Sequence, residues 1–209
     1  MILQLLSTDP ILALVIAAAI IITIAGHEFA HALAGYLLGD HTAEREGRLT
    51  LNPLAHLDLI GTILIFTVGF GWGRPVPFNP FNLRWRKWGA TAVALAGPIS
   101  NFIMAYVFFF AGVLALQLYD PENYVVKMFG TLAFINVALG VFNLLPIPPL
   151  DGSRLLVTLL PPRYDYIGQW LERNGFWLLI FLLIIANTTG INFLSGAVNG
   201  VFDLMFGWY

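Results

Sequence analysis

Residues 20–37 read IIITIAGHEFAHALAGYL, an apolar run of membrane-spanning character that contains two histidines and a glutamate. An ionisable side chain inside a bilayer costs about 3 kcal/mol or more, and such residues usually mark functional sites. His27, Glu28 and His31 are therefore expected to carry chemistry. The rest of the sequence has to show which chemistry that is.

The motif HEFAH within this run has the form H-E-x-x-H. Its two histidines share one face of a helix, so their imidazoles can bind a single zinc ion. Glu28 is rotated by about 100° from His27 and can act as the general base that deprotonates a zinc-activated water molecule. The alternative is a pair of core histidines bonded to the backbone, and a third metal ligand would distinguish the two.

The composition is that of an integral membrane protein. The 209 residues are 58% hydrophobic and 11% charged, and their mean hydropathy is +0.79, far above that of an ordinary soluble domain. The net charge of -2 and the absence of a basic block make nucleic acid an unsuitable partner. Because the chain has no cysteine, any metal must be held by histidine and carboxylate ligands.

The His-Glu motif is predicted to lie on a long helix over residues 10–39. Ser7, Thr8 or Asp9 can cap this helix, Pro10 suits its first turn and Gly39 is placed to end it. Thirty residues would extend for roughly 45 Å, more than the ~30 Å hydrocarbon core requires. We therefore expect a retained membrane helix that spans the bilayer and projects beyond it.

The remaining pattern predicts an all-α polytopic membrane protein with about four to six transmembrane helices in a single domain, residues 1–209. Residues 58–80 are apolar but rich in Gly, Thr and Pro, which favours a re-entrant segment or a membrane-embedded hairpin. Further helices are expected at 89–118, 124–145 and 174–190, with an Asp-Gly motif at 143–152 and a Gly-rich apolar tail after residue 190.

The cations predict the orientation of the chain. If residues 58–80 enter and leave on the same face, every lysine and arginine except Lys127 lies on one side of the membrane. Positive residues favour the cytoplasmic side. We therefore expect an external N-terminus and an active site nearer the cytoplasmic face.

A third metal ligand has few candidates. The histidines and aspartates to consider are Asp40, His41, His56, Asp58 and Asp151. Asp151 follows a proline-broken turn on the side nearest His31 and could complete a two-histidine, one-carboxylate site, although PPLDG is equally typical of an ordinary turn. His56 and Asp58 are more typical of a loop cap or of a contact behind a ligand.

GHEFAHALAG, followed downstream by FNLLPIPPLDGSRLL, resembles the site-2 protease family of intramembrane zinc metalloproteases, in its compact bacterial and archaeal form without a PDZ or CBS domain. The motif N-x-x-P-x-x-x-x-D-G is matched by Asn143, Pro146, Asp151 and Gly152. The resemblance implies that Asp151 is the third ligand of one Zn²⁺ and that Asn143 contacts the substrate or the oxyanion. Asn101, in GPISN, matches a further family motif, with catalytic support and helix packing through Gly97 as alternatives.

The resemblance also implies the activity and its setting. It suggests hydrolysis of peptide bonds in or near the transmembrane segments of membrane-anchored proteins, or of signal peptides, in a prokaryotic cell membrane. The alternatives are a membrane metal-binding transporter or carrier and an inactive protease homologue. Glu28 favours the protease, because a carrier does not require a carboxylate at that position of the motif.

Overall fold

The computed structural model describes residues 2–67, 71–189 and 193–207, and the predicted all-α class is confirmed within them. The described residues form nine α-helices, two short 3-10 turns and one isolated β-bridge. The helices are α1 (Ile2–Thr8), α2 (Pro10–Leu37), α3 (Thr42–Arg45), α4 (Leu59–Thr67), α5 (Arg86–Ala115), α6 (Tyr124–Asn143), α7 (Gly152–Leu159), α8 (Asp165–Thr189) and α9 (Phe193–Phe206).

Three of these helices, α2, α5 and α6, are long and apolar enough to cross a membrane. Their 28, 30 and 20 residues correspond to roughly 42, 45 and 30 Å, against a hydrocarbon core of about 30 Å. The sequence predicts four to six spans. That number would be reached if α4, which is short, and the C-terminal half of α8, which follows a polar first half, also cross the membrane.

Helix α2 starts where the sequence predicts and ends two residues earlier. The Asp9 side chain accepts a hydrogen bond from the Leu12 N–H (3.0 Å), and Pro10 occupies the first turn. The helix stops at Leu37, and Gly39 adopts the positive φ of 99° that terminates many helices.

The three spanning helices all contact one another. At one end the Tyr124 hydroxyl donates to Asp9 Oδ1 (3.2 Å), which joins the starts of α2 and α6. At the other end the Arg84 N–H donates to the Leu38 carbonyl (2.9 Å), which joins the end of α2 to the chain entering α5. Helix α5 therefore runs antiparallel to α2 and α6.

Small residues allow these helices to approach closely. A Cβ at Gly26 would lie 2.6 Å from Met104 Sδ, and one at Gly140 would lie 3.0 Å from Phe102 Cζ. Small side chains at helix contacts are the usual solution in membranes, where close packing replaces the hydrophobic effect between helices. Buried alanines extend this pattern through α2, α5 and α6: Ala13, Ala19, Ala25, Ala32, Ala94, Ala105 and Ala133.

Residues 58–67 and 71–80 of the predicted segment lie against each other, and we call these two parts the hairpin; residues 68–70 lie outside the described residues. Asp58 accepts a hydrogen bond from the Gly61 N–H (2.8 Å) at the start of α4. The returning chain forms an isolated antiparallel bridge between Gly73 and Leu57, and the Arg74 N–H donates to the His56 carbonyl (2.7 Å). Re-entry of this hairpin into the membrane stays a prediction.

Several helix bounds differ from those expected. Helices α5 and α6 run over Arg86–Ala115 and Tyr124–Asn143 rather than 89–118 and 124–145, and α8 begins at Asp165 rather than at residue 174. The predicted starts of α5 and α8 follow the start of each apolar run, whereas the helical hydrogen bonds of both helices begin earlier, in polar residues. The tail expected after residue 190 contains α9, whose Val198 and Phe206 are buried in a cluster with residues of α5 and α6.

Candidate metal centre

Two elements bring the predicted ligands together. His27 and His31 lie on α2 and are buried, with 5% and 8% of their surface exposed. Asp151 immediately precedes α7, but its side chain makes no capping hydrogen bond there. Gly152 allows this turn to fold tightly, because a Cβ at that position would overlap the Leu144 carbonyl. The Asp151 carboxylate is therefore free to face the histidines.

The ligand atoms of these three residues form a small triangle. The Nε2 atoms of His27 and His31 are 3.0 Å apart, and Asp151 Oδ2 lies 3.2 Å from the first and 3.3 Å from the second. Tetrahedral zinc with bonds of about 2.0–2.2 Å separates neighbouring ligand atoms by roughly 3.3–3.6 Å. Within the described residues, this is the group of histidines and carboxylates that could hold a metal ion.

The hydrogen bonds behind the triangle show which nitrogens carry protons. His31 Nδ1 contacts the Val93 carbonyl at 2.7 Å, and since a carbonyl only accepts, Nδ1 must be the donor. His27 Nδ1 contacts Asn101 Oδ1 at 2.6 Å and donates in the same way. In the neutral imidazoles, both Nε2 atoms then present lone pairs to each other, an arrangement that a cation between them would stabilise.

The Asp151 carboxylate completes this set of electron-pair donors. The carboxylate approaches both imidazoles on the side of their Nε2 atoms. A carboxylate binds a metal ion in its ionised form. Its Oδ2 atom is buried and has no hydrogen-bond partner among the described residues, an environment that suits a metal ligand.

Helix α5 forms the back wall of the centre. A Cβ at Gly97 would overlap the His31 imidazole and lie 2.6 Å from His27 Cε1. Glycine at this position is therefore what permits α5 to approach both rings closely enough for Val93 and Asn101 to bond them.

Glu28 occupies the neighbouring face of α2, outside the ligand triangle. A Cβ built on Gly73 would lie 3.5 Å from Glu28 Oε1, so the carboxylate is next to the returning segment of the hairpin.

The two predicted asparagines have different surroundings. Asn101 is fully buried and bonded to His27 on one side and Asn136 on the other. Its support of catalysis stays a prediction. Asn143, the last residue of α6, donates to the Leu139 carbonyl of its own helix (3.1 Å). A role for Asn143 in binding substrate stays a prediction.

The other candidate ligands make hydrogen bonds or ion pairs in loops and at helix ends. In the described parts of the chain none of them joins the ligand group. His56 is buried and donates from Nε2 to the Thr50 carbonyl (2.7 Å). Asp58 caps α4, and His41 pairs with Glu44 at the surface. Asp40 accepts hydrogen bonds from Thr42, Asn79 and Asn82.

Sequence reasoning missed three buried polar residues. Thr23 and Asn136 are polar side chains within apolar helices and are fully buried in the structure, so their position inside predicted spans was an available signal. Arg48 is 4% exposed and donates to the Arg74 carbonyl (2.5 Å). Nothing in its loop sequence distinguishes it from the exposed Arg45.

The chain is similar in sequence to several proteins that are named zinc metalloproteases. "Putative zinc metalloprotease YwhC" of Bacillus subtilis is 41% identical over 177 residues, which is 82% of this chain and 80% of the relative. "Putative zinc metalloprotease Rip2" of Mycobacterium tuberculosis is 33% identical over 186 residues, 85% of this chain and 69% of the relative. "Zinc metalloprotease MJ0392" of Methanocaldococcus jannaschii is 33% identical over 81 residues, 39% of this chain and 23% of the relative.

The family model of peptidase family M50 matches residues 119–185, which include Asp151 and the end of α6. No solved structure matches the chain significantly. The identity with YwhC extends over most of both chains. The chain therefore belongs to peptidase family M50, which confirms the resemblance predicted from GHEFAHALAG and FNLLPIPPLDGSRLL.

Proposed function

We propose that this chain is a zinc metalloendopeptidase that hydrolyses peptide bonds in or near the transmembrane segments of membrane-anchored proteins, as in regulated intramembrane proteolysis. The observation that carries the proposal is the convergence of His27, His31 and Asp151 inside a bundle of apolar helices, with Glu28 beside them. Family membership and the metalloprotease names of YwhC and Rip2 support the same reaction.

The donor set fits zinc. Two neutral imidazoles with free Nε2 lone pairs and one ionised carboxylate are borderline-soft and hard ligands of the kind that zinc enzymes use, and a fourth position is left for water or substrate. Zinc held by His27, His31 and Asp151 would supply a Lewis acid that polarises a carbonyl and makes water acidic enough to lose a proton near neutral pH.

The protein's own groups account for the proton transfers. Glu28 would accept a proton from the attacking water and return it to the departing amine, a base-then-acid role that contributes about 10²–10⁴-fold in rate. The Asn143 amide is the candidate donor to the carbonyl oxygen of the scissile bond, where negative charge develops.

The hairpin is the candidate substrate-holding element. A peptide bond in a helix has its carbonyl engaged in the helical ladder, so a transmembrane substrate must unwind locally before attack. The segment that returns through Gly73 lies beside Glu28, and an extended peptide could pair with the backbone of this segment by strand addition. This would hold the unwound segment next to the base.

The proposed setting is a prokaryotic cell membrane, with the N-terminus external and the site nearer the cytoplasmic face. The cation distribution supports this orientation, because Lys127 lies in the first turn of α6, at the end where α2 also starts, whereas Arg84 adjoins the end of α2. Membrane proteins with a single span and leftover signal peptides are the proposed substrates.

The test compares the wild type with Glu28→Gln in liposomes that contain a panel of single-span peptides. We expect Glu28→Gln to retain zinc and to lose cleavage by about 10²–10⁴-fold, because it removes the base and leaves the ligands intact. Glu46→Gln, in an exposed loop, is the control and should cleave normally.

Two results would count against the proposal. Cleavage by Glu28→Gln at the wild-type rate would remove the assigned mechanism. A wild type that binds zinc and carries it across the liposome membrane without cleaving any peptide would favour the metal carrier instead.

A further inference from the structure

A chain of buried polar side chains runs from His27 away from the metal ligands and links all three spanning helices. His27 Nδ1 contacts Asn101 Oδ1 (2.6 Å), Asn101 Nδ2 contacts Asn136 Oδ1 (3.0 Å), and Asn136 Nδ2 contacts Thr23 Oγ1 (2.9 Å). His27 is 5% exposed, and Thr23, Asn101 and Asn136 are 0% exposed. We call these four residues the relay.

The direction of every hydrogen bond in the relay follows from one backbone carbonyl. Asn136 Nδ2 also lies 2.8 Å from the Leu132 carbonyl, which can only accept, so this end of the Asn136 amide must be its NH₂ group. Its Oδ1 then faces Asn101 and can only accept, which fixes the Asn101 NH₂ group toward it. The Asn101 oxygen is thereby directed at His27.

We infer that Asn136, two hydrogen bonds removed from the metal, selects the tautomer of His27 that leaves Nε2 free to bind zinc. The inference rests on the proposed metal site. Asn101 cannot make this selection alone, because a 180° rotation of its amide would present NH₂ to His27 Nδ1 and favour the Nε2–H tautomer, which has no lone pair for a metal. With Asn136 present, that rotation would place two amide oxygens against each other.

The arrangement at His31 shows why a relay is needed at only one of the two histidines. His31 Nδ1 donates directly to the Val93 carbonyl, a backbone group whose polarity cannot be reversed. His27 instead faces a side-chain amide, which has two possible orientations. The Leu132 carbonyl fixes the orientation of the Asn136 amide, and Asn136 in turn fixes the orientation of the Asn101 amide.

The experiment substitutes Asn136→Leu and measures two quantities in purified full-length protein. The first is the zinc dissociation constant, obtained by competition with a chelator. The second is the tautomer of His27 in the metal-free protein, read from ¹⁵N chemical shifts of labelled histidine and assigned with a His27→Gln variant. We expect zinc to bind about 10–100-fold more weakly, the usual effect of losing an outer hydrogen-bond partner, and His27 to shift toward the Nε2–H form.

Asn174→Leu is the matched control. Asn174 makes the same type of hydrogen bond to the carbonyl four residues earlier, that of Trp170 (2.8 Å), but lies on α8 outside the relay. Its substitution should leave both the zinc affinity and the His27 tautomer unchanged.

A rescue variant separates tautomer selection from general loosening of the core. In Asn101→Asp/Asn136→Leu both oxygens of residue 101 accept, so the orientation of that side chain no longer matters. Zinc affinity should return to within about threefold of the wild type. Failure of this rescue, or an Asn136→Leu protein with wild-type zinc affinity and tautomer, would overturn the inference.

If Asn136→Leu does not fold, the wild type and Asn136→Asp decide the question. Asn136→Asp keeps an acceptor for Asn101, so both proteins must show the Nδ1–H tautomer of His27 in the metal-free state; an Nε2–H tautomer in either overturns the inference. A wild type that binds no zinc would instead refute the proposed metal site, which distinguishes the two failures.

Discussion

Replacing Gly97 by alanine tests the claim that α5 forms the back wall of the metal centre. The added Cβ would lie 2.6 Å from His27 Cε1 and would also overlap the His31 ring, roughly 1 Å inside the normal contact distance of about 3.5–4.0 Å. The rings or α5 must therefore move by about that amount. Displacements of 1 Å at a catalytic centre can cost about 10²-fold in rate, and overpacking costs about 1–3 kcal/mol of stability.

The assay measures zinc affinity, peptide cleavage and thermal unfolding of Gly97→Ala in parallel with Gly130→Ala. Outside its own helix backbone, a Cβ at Gly130 on α6 would meet no atom of the described residues within 4 Å. This control should therefore keep its zinc and its activity and gain a few tenths of a kcal/mol in stability. Gly97→Ala should lose at least tenfold in zinc affinity. Wild-type affinity in Gly97→Ala would show that α5 does not confine the two imidazoles.

Three further predictions concern the metal, a helix contact and pH. Chelation should lower the thermal midpoint of the wild type, because zinc at 1,000 times its dissociation constant stabilises by about 4 kcal/mol; Asp151→Ala should show no such drop. Thr91→Val should reduce the free energy of unfolding in denaturant by about 1–2 kcal/mol, because it leaves Thr158 Oγ1 without its 2.6 Å partner; an unchanged value would contradict this. Burial raises the Asp40 pKa, but hydrogen bonds from Thr42 and neighbouring loop residues outweigh it and lower the pKa below 3.8. Asp40 therefore stabilises the fold above about pH 4 and loses this effect as the pH falls through its lowered pKa, so the thermal midpoints of the wild type and Asp40→Asn should differ at pH 7 and converge in acid.

The ligand chemistry was accessible from the sequence because it depends on residue type and short-range spacing. Two histidines four residues apart on a helix must share one face. In an apolar helix their burial costs free energy unless a partner such as a metal ion binds them. The start of α2 was equally accessible, since Asp9 and Pro10 are local signals that the structure uses as expected. The pairing of these histidines with Asp151 required the family resemblance, because the Asp-Gly turn alone was ambiguous.

The ends of the long helices were harder to predict from the sequence, for a physical reason. Apolar runs report which residues avoid water, whereas a helix ends where its last carbonyls find other partners. Helix α8 thus extends back to Asp165 through residues that hydropathy assigns to a loop, and α9 is formed in a glycine-containing tail whose Phe206 packs on α5 and α6. These features depend on contacts between distant parts of the chain.

The sequence by itself determined an all-helical membrane protein with an H-E-x-x-H motif inside a span, because hydropathy and helical periodicity are local properties. Only the tertiary structure decided what stands behind that motif. Asn101 and Asn136 come from two other helices, and Gly97 matters only because α5 crosses α2 at the imidazoles. Hydrogen-bond direction and close packing are properties of atoms brought together in space, and no spacing along the chain specifies them.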